Sequence, residues 1–256
     1  MIDGLKGKVA IVTGGAHGIG KAYCLGFAKA GAHVVIADID EAAAKRGAAE
    51  ITKDFATPTL ALHTDVSDEV STKEMAARVL ERFGRIDVLV NNAAVFSVVP
   101  MNRGTIETID PEEWDRLMAV NLRGLFFCCR AALPTMRKQK SGKIITIASG
   151  TVFAGAPGRI HYVTSKAATI GFTRTLAREV GDDNINVNCL APGNTLSEEN
   201  PTEQMIKFRE SSVGLRSLKR IQMPQDVVGA MLFLASPLSD FMTGQTVNVD
   251  GGISFL

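Results

Sequence analysis

Tyr162 and Lys166 stand four residues apart in His161-Tyr162-Val163-Thr164-Ser165-Lys166, thirteen residues after Ser149. Residues at i and i+4 share one face of a helix, so the ammonium of Lys166 falls beside the phenol of Tyr162 and lowers the cost of its anion. A phenol that ordinarily titrates near pH ~10 then exchanges protons closer to neutrality, which is acid–base chemistry on a hydroxyl or carbonyl oxygen. A second constellation opens the chain: Thr13-Gly14-Gly15-Ala16-His17-Gly18-Ile19-Gly20 follows the apolar run Val9-Ala10-Ile11-Val12 and leads into a helix. Gly14 permits a sharp turn, Gly18 clears the approach path past His17 and Ile19, and Gly20 allows close helix packing. The main chain can then meet a pyrophosphate at the positive end of a helix. A tyrosine base joined to a dinucleotide loop is the equipment of hydride transfer.

The run His33-Val34-Val35-Ile36-Ala37 ends in Asp38, eighteen residues beyond Gly20. A carboxylate there accepts hydrogen bonds from both hydroxyls of an adenosine ribose and repels a 2′-phosphate, while Gly15 and Ile39 offer no cation to attract one, so the expected cofactor is NAD. Asp65-Val66 and Asn91-Asn92-Ala93-Ala94 follow the next two strand-like runs, where the adenine half is expected; the small Ala93 lets a cofactor lie close to the backbone. Taken alone, Asp65 reads equally well as a helix cap.

These residues need a scaffold that alternates short strands with longer helices. Val9–Val12, His33–Ala37, Thr59–Leu62, Val88–Val90, Lys143–Ile147, Asn186–Leu190 and Thr246–Val249 are nearly continuous apolar or β-branched runs, as suits strands covered on both faces. Helical composition fills Ile19–Ala30, Glu41–Lys53, Ser67–Phe83 with Asp68, Ser67 or Asp65 as its cap, a helix from Pro111 after Asp110 that carries Asn121 inward, and His161–Val180. The expected fold is α/β: a doubly wound, parallel, seven-stranded sheet in a single domain over residues 1–256, with its site at the carboxyl ends of the strands. The stretch 194–223 has the weakest sheet signal and is read as a cover over the substrate.

Composition narrows the partner. Lys and Arg number 28 against 27 Asp and Glu, a net charge of +1 that makes no field for nucleic acid or an anionic membrane. The N-terminal residues lack a signal peptide's apolar core and no run is read as approaching the ~18 apolar residues of a membrane span, so the expectation is a cytoplasmic protein acting on a small molecule. Cys24, Cys128, Cys129 and Cys189 lie in apolar runs and read as buried free thiols; His17, His33, His63 and His161 are scattered, and no metal site is expected.

In Thr13-Gly14-x-x-x-Gly18-x-Gly20, Asn91-Asn92-Ala93-Ala94, Asn121, Ser149, Tyr162-x-x-x-Lys166 and Pro192-Gly193, the chain resembles the short-chain dehydrogenase/reductase family across residues 5 to 252. The resemblance implies a Rossmann-type sheet, a nicotinamide cofactor and a homotetramer or dimer. It implies Tyr162 as general acid/base, Ser149 orienting the substrate oxygen, Lys166 binding the nicotinamide ribose, and Asn121 helping to hold a proton-relaying water. Pro192, Gly193, Thr195 and Ser197 would border the nicotinamide. Three positions depart from the pattern: Ala94 replaces a usual glycine, Thr195 a usual aliphatic residue, and Ser197 a usual threonine. Ala94 is tolerable if its φ is negative.

Phe96-Ser97-Val98-Val99-Pro100-Met101 and Gly150-Thr151-Val152-Phe153-Ala154 are the expected pocket walls, largely apolar, with Arg159 and His161 as nearby polar residues of open orientation. An aromatic, alicyclic or terpenoid-like secondary alcohol is therefore the expected substrate, because a phosphorylated one would need converging cations. The alternatives are a 3-oxoacyl thioester reductase, whose relatives usually prefer NADP, and a dinucleotide-binding regulatory protein without turnover.

Overall fold

In the computed structural model, which describes residues 3–96 and 99–255, seven strands form one parallel sheet in the order β3-β2-β1-β4-β5-β6-β7. They are β1 (Val9–Thr13), β2 (His33–Asp38), β3 (Thr59–His63), β4 (Val88–Asn91), β5 (Gly142–Ile147), β6 (Ile185–Pro192) and β7 (Thr246–Val249). All seven expected runs are strands. Alternation of side chains explains why they read as unbroken apolar stretches. Ala10, Val12, Val34 and Ile36 enter one core with α1 (Gly18–Lys29), α2 (Glu41–Phe55) and α9 (Gln225–Ala235). Val9, Ile11, Val35 and Ala37 enter the other with α3 (Glu69–Phe83), α5 (Gly124–Gln139) and α7 (Ile160–Glu179).

Asp68 caps α3 by accepting from the Val70 and Ser71 amides, which settles that choice; Asp65 instead accepts from the amide and hydroxyl of Ser67 in the turn before it. Asp110 caps α4 (Pro111–Met118), which passes through a π-helical turn at Ala119–Arg123 directly into α5. This continuous Pro111–Gln139 helix is long and apolar enough, by length and composition alone, to cross a membrane, which differs from the expectation of no such run. Its apolar side chains have another partner here: Leu125, Cys128, Cys129, Ala132 and Met136 pack on the sheet.

All four cysteines are free and buried, and burial pushes the Cys129 thiol up to about 12 and the others upward as well. Strand order reverses between β1 and β4, opening a crevice at the carboxyl ends of the strands, where the chain's chemistry is expected.

Candidate active site

At the end of β1, Gly14 adopts φ +61°, and a Cβ there would lie 2.8 Å from Ala93 Cα. Six residues later, in the first turn of α1, a Cβ on Gly20 would lie 1.9 Å from the Gly14 carbonyl oxygen, so no side chain fits. The end of β4 ties this loop down. Asn92 Nδ2 donates to the carbonyls of Thr13 (3.0 Å) and Gly14 (2.9 Å), and the amides of Asn92 and Ala93 donate to Thr13 Oγ1. Asn92 thus shapes the loop. Ala94 has negative φ, so its replacement of glycine carries no strain.

Asp38 is buried, with one oxygen accepting from the Ala16 amide (2.9 Å) and the other from the Asp40 amide (3.0 Å). Those bonds fix the carboxylate and leave further lone pairs toward the cavity it lines. His17 Nε2 stands 3.1 Å from Asp40 Oδ2, joining the glycine loop to the turn after β2. A cavity of about 730 Å³ runs from Asp38, Asp65 and Val66 past Gly14, His17, Gly18, Ile19, Gly20, Asn92 and Ala93. It continues to Ser149, Tyr162, Lys166, Pro192, Gly193, Thr195 and Ser197. Its length and its glycine floor fit an extended dinucleotide.

Tyr162 and Lys166 share the buried face of α7 as the spacing requires. The Lys166 ammonium donates to the Ile147 carbonyl (2.8 Å) and lies 5.9 Å from the centre of the Tyr162 ring. Burial brings Lys166 down to about 8. Burial also raises the Tyr162 phenol, opposed by the Ser149 hydroxyl and then by the guanidinium charges of Arg159 and Arg209. This corrects the simple expectation of a phenol lowered by Lys166. In the folded protein burial is the larger effect, and the opposing charges come from arginines outside the helix pair.

Ser149 follows β5, its Oγ accepting from Thr151 Oγ1 at 2.9 Å. Asn121, in the π-helical turn, spends its side chain on structure: Oδ1 accepts from the Val95 amide (2.8 Å) and Nδ2 donates to Ser165 Oγ (3.1 Å). It stands outside the main cavity but borders a second one of about 10 Å³, shared with Lys166, Thr13 and Asn91, with room for about one water.

The substrate end differs from its sequence reading. Phe96 does line the cavity, its ring 5.0 Å from that of Tyr162. Val152 and Phe153 do not; they pack against Ala148, Ile170, Cys189 and Ala191, because the short helix α6 (Thr151–Ala154) turns them onto the protein. Ser97 and Val98 fall outside the described residues. His161 is fully buried with Nε2 3.9 Å from Glu113 Oε1, whereas Arg159, 9% exposed, lines the cavity.

The segment 194–223 contributes Asn194, Phe208, Arg209, Ser212 and Leu215, which the sequence reading did not single out. It folds around α8 (Glu203–Glu210) and is held by Arg216, buried, which donates to the carbonyls of Asn194 (2.6 Å), Arg220 (2.9 Å) and Asp250 (3.2 Å). Asp250 in turn accepts from Asn248 and three amides, which hold its carboxyl below the usual value against the opposing effect of burial. No periodicity in this stretch distinguishes its buried arginines from surface ones.

A family model described as enoyl-(acyl carrier protein) reductase matches residues 14–254. A 3-oxoacyl-[acyl-carrier-protein] reductase FabG of Thermotoga maritima is 38% identical, covering 97% of this chain and 98% of its own. The short chain dehydrogenase/reductase astE of Aspergillus oryzae is 36% identical over 98% of this chain and 97% of its own. A crystal structure of 3-ketoacyl-(acyl-carrier-protein) reductase from Brucella melitensis complexed with NADH superposes with a TM-score of 0.87, at 33% identity, over 98% of this chain and 100% of that one. With the sheet order, the glycine loop and the Ser149, Tyr162 and Lys166 arrangement, these end-to-end matches place the chain in the short-chain dehydrogenase/reductase family of oxidoreductases.

Proposed function

We propose that the chain is an NAD(H)-linked oxidoreductase interconverting a ketone and its secondary alcohol, with a 3-oxoacyl compound as the carbonyl substrate. The observation that carries the reading is the single cavity joining Asp38, beyond the glycine loop, to Tyr162, Ser149 and Lys166. When bound there, the nicotinamide supplies or accepts the hydride. In reduction the Tyr162 phenol gives its proton to the substrate oxygen, Ser149 orients that oxygen, and Lys166 steadies the resulting phenolate; in oxidation the proton returns.

Asp38, Asp65, Val66, Asn92 and Ala93 would hold the adenosine half, Gly14, His17, Gly18, Ile19 and Gly20 the pyrophosphate, and Pro192, Gly193, Thr195 and Ser197 would border the nicotinamide. Asp38 favours NAD over NADP for the electrostatic reason given above, and the Brucella melitensis relative complexed with NADH supports the choice. The 3-oxoacyl reading is supported over a broad apolar alcohol by the names of the relatives and by Val152 and Phe153 packing away from the cavity. The segment 194–223 serves as the cover, and a homotetramer is the proposed assembly, consistent with the apolar surface left by exposed Phe241 and Phe255.

Initial rates of NADH consumption with 3-oxoacyl compounds, both as free acids and as thioesters, set beside NADH formation from a panel of secondary alcohols, test the reading. Turnover of the 3-oxo compounds in at least one of these forms is expected. Turnover confined to apolar alcohols lacking any acyl function would contradict it.

A further inference from the structure

Three guanidiniums surround the ring of Phe208 at the substrate end: Arg103 at 5.0 Å from its centre, Arg159 at 5.2 Å and Arg209 at 5.4 Å. Arg103 is exposed and needs no explanation. The other two are buried, at 9% and 4% exposure, and both line the cavity beside Tyr162. Arg209 pairs with Glu198 and Asn194, yet its Nε has no hydrogen-bond partner among the described residues. Arg159 makes no side-chain hydrogen bond and no ion pair among the described residues; among them its guanidinium lies against the Phe208 ring. Arg116, also at the cavity wall, is already matched by Glu113.

A guanidinium removed from water without a counter-charge is costly, and the usual remedy is a paired anion. Arg159 and Arg209 against Glu198 leave one positive charge, the charge that a carboxylate cancels and that a phosphate dianion would exceed. A carboxylate also matches the planar donor fork of arginine. We infer that the substrate is a free oxo acid or the corresponding hydroxy acid, whose carboxylate is received by Arg159 with Arg209 while its carbonyl or hydroxyl oxygen meets Ser149 and Tyr162. This inference rests on the oxidoreductase reading above and narrows its substrate. The contribution of Arg159 and Arg209 to lowering the phenol agrees with their nearness to Tyr162 and names the rival role, activation of Tyr162 alone.

Initial-rate kinetics with NADH on a series of linear oxo acids of increasing carbonyl-to-carboxylate separation, each beside its ethyl ester and its coenzyme A thioester, decide between the two. The wild type should favour the acid. In Arg159→Gln the acid-to-ester ratio of kcat/KM should fall on the order of 10- to 100-fold, the loss expected for one charge-assisted pair, with partial recovery in Arg159→Lys. An ester or thioester as good as the acid in the wild type, or equal losses on acid and ester in Arg159→Gln, overturns the inference.

Calorimetry in the presence of NADH, with a saturated carboxylate and its neutral amide, separates this outcome from failure of the reductase reading. Arg159-dependent binding of the carboxylate without turnover would sustain the anion site while sinking the reductase. Binding without preference for the carboxylate sinks the anion site whatever the turnover.

Discussion

At the scale of single residues, the two groups nearest the proposed proton transfer are both displaced by burial: Lys166 down to about 8 and Tyr162 upward. Reduction requires a protonated phenol and gains from a charged Lys166, so its rate should hold at low pH and decline as pH rises through about 8, where Lys166 loses its proton. Oxidation requires the phenolate and should rise in the same direction. A pH profile of kcat/KM for ketone reduction that stays level from neutral to strongly alkaline conditions would contradict this. Asp38→Ala should weaken NADH binding on the order of 10- to 100-fold and narrow the preference over NADPH, checked by fluorescence titration with both. The Tyr162–Lys166 pair was legible because i, i+4 spacing fixes a shared face whatever the rest of the fold does. The state of Arg159 was not, since a residue just before a helix carries no periodicity that reports burial.

At the scale of elements, strand–loop–helix units position the glycine loop, Asp38, Ser149, Tyr162 and Lys166, and their tolerances are small. Gly20→Ala puts a methyl 1.9 Å from the Gly14 carbonyl, so the helix must shift; a loss of ~1–3 kcal/mol in stability is expected by denaturant unfolding, with NADH affinity falling alongside. Arg216→Met removes the donor to two carbonyls of segment 194–223, Asn194 and Arg220, and to the Asp250 carbonyl that ties the segment to the chain after β7. Faster limited proteolysis within residues 194–223 and a higher KM are the expected results; an unchanged cleavage rate would remove Arg216 from its role as the cover's anchor. Strands were legible from apolar runs because each is covered on both faces. The extents of helices α5 and α9, and the turning of Val152 and Phe153 away from the pocket, are not legible in the sequence, because hydrophobicity marks what is buried without saying against which partner.

At the scale of the whole molecule, the reversal between β1 and β4 gathers residues from Asp38 to Arg209 around one cavity, which couples cofactor binding to the stability of the entire fold. NADH at about 100 times its dissociation constant should add ~2.7 kcal/mol and raise Tm by roughly 5–10 °C, with a smaller shift from NADPH. A parallel, doubly wound sheet could be anticipated from alternating strands and helices, whereas its strand order and the charge balance at the substrate end emerge only in the folded chain, where segment 194–223 lies against the cavity.

Whether the reaction is NAD-linked and depends on Tyr162 is read at once by comparing NADH and NADPH consumption on one 3-oxo substrate by wild type and Tyr162→Phe. Faster wild-type turnover with NADH is expected, together with a fall in kcat on the order of 100-fold or more in the variant while NADH binding is retained. A preference for NADPH, or a variant that turns over as the wild type does, would rule out this chemistry.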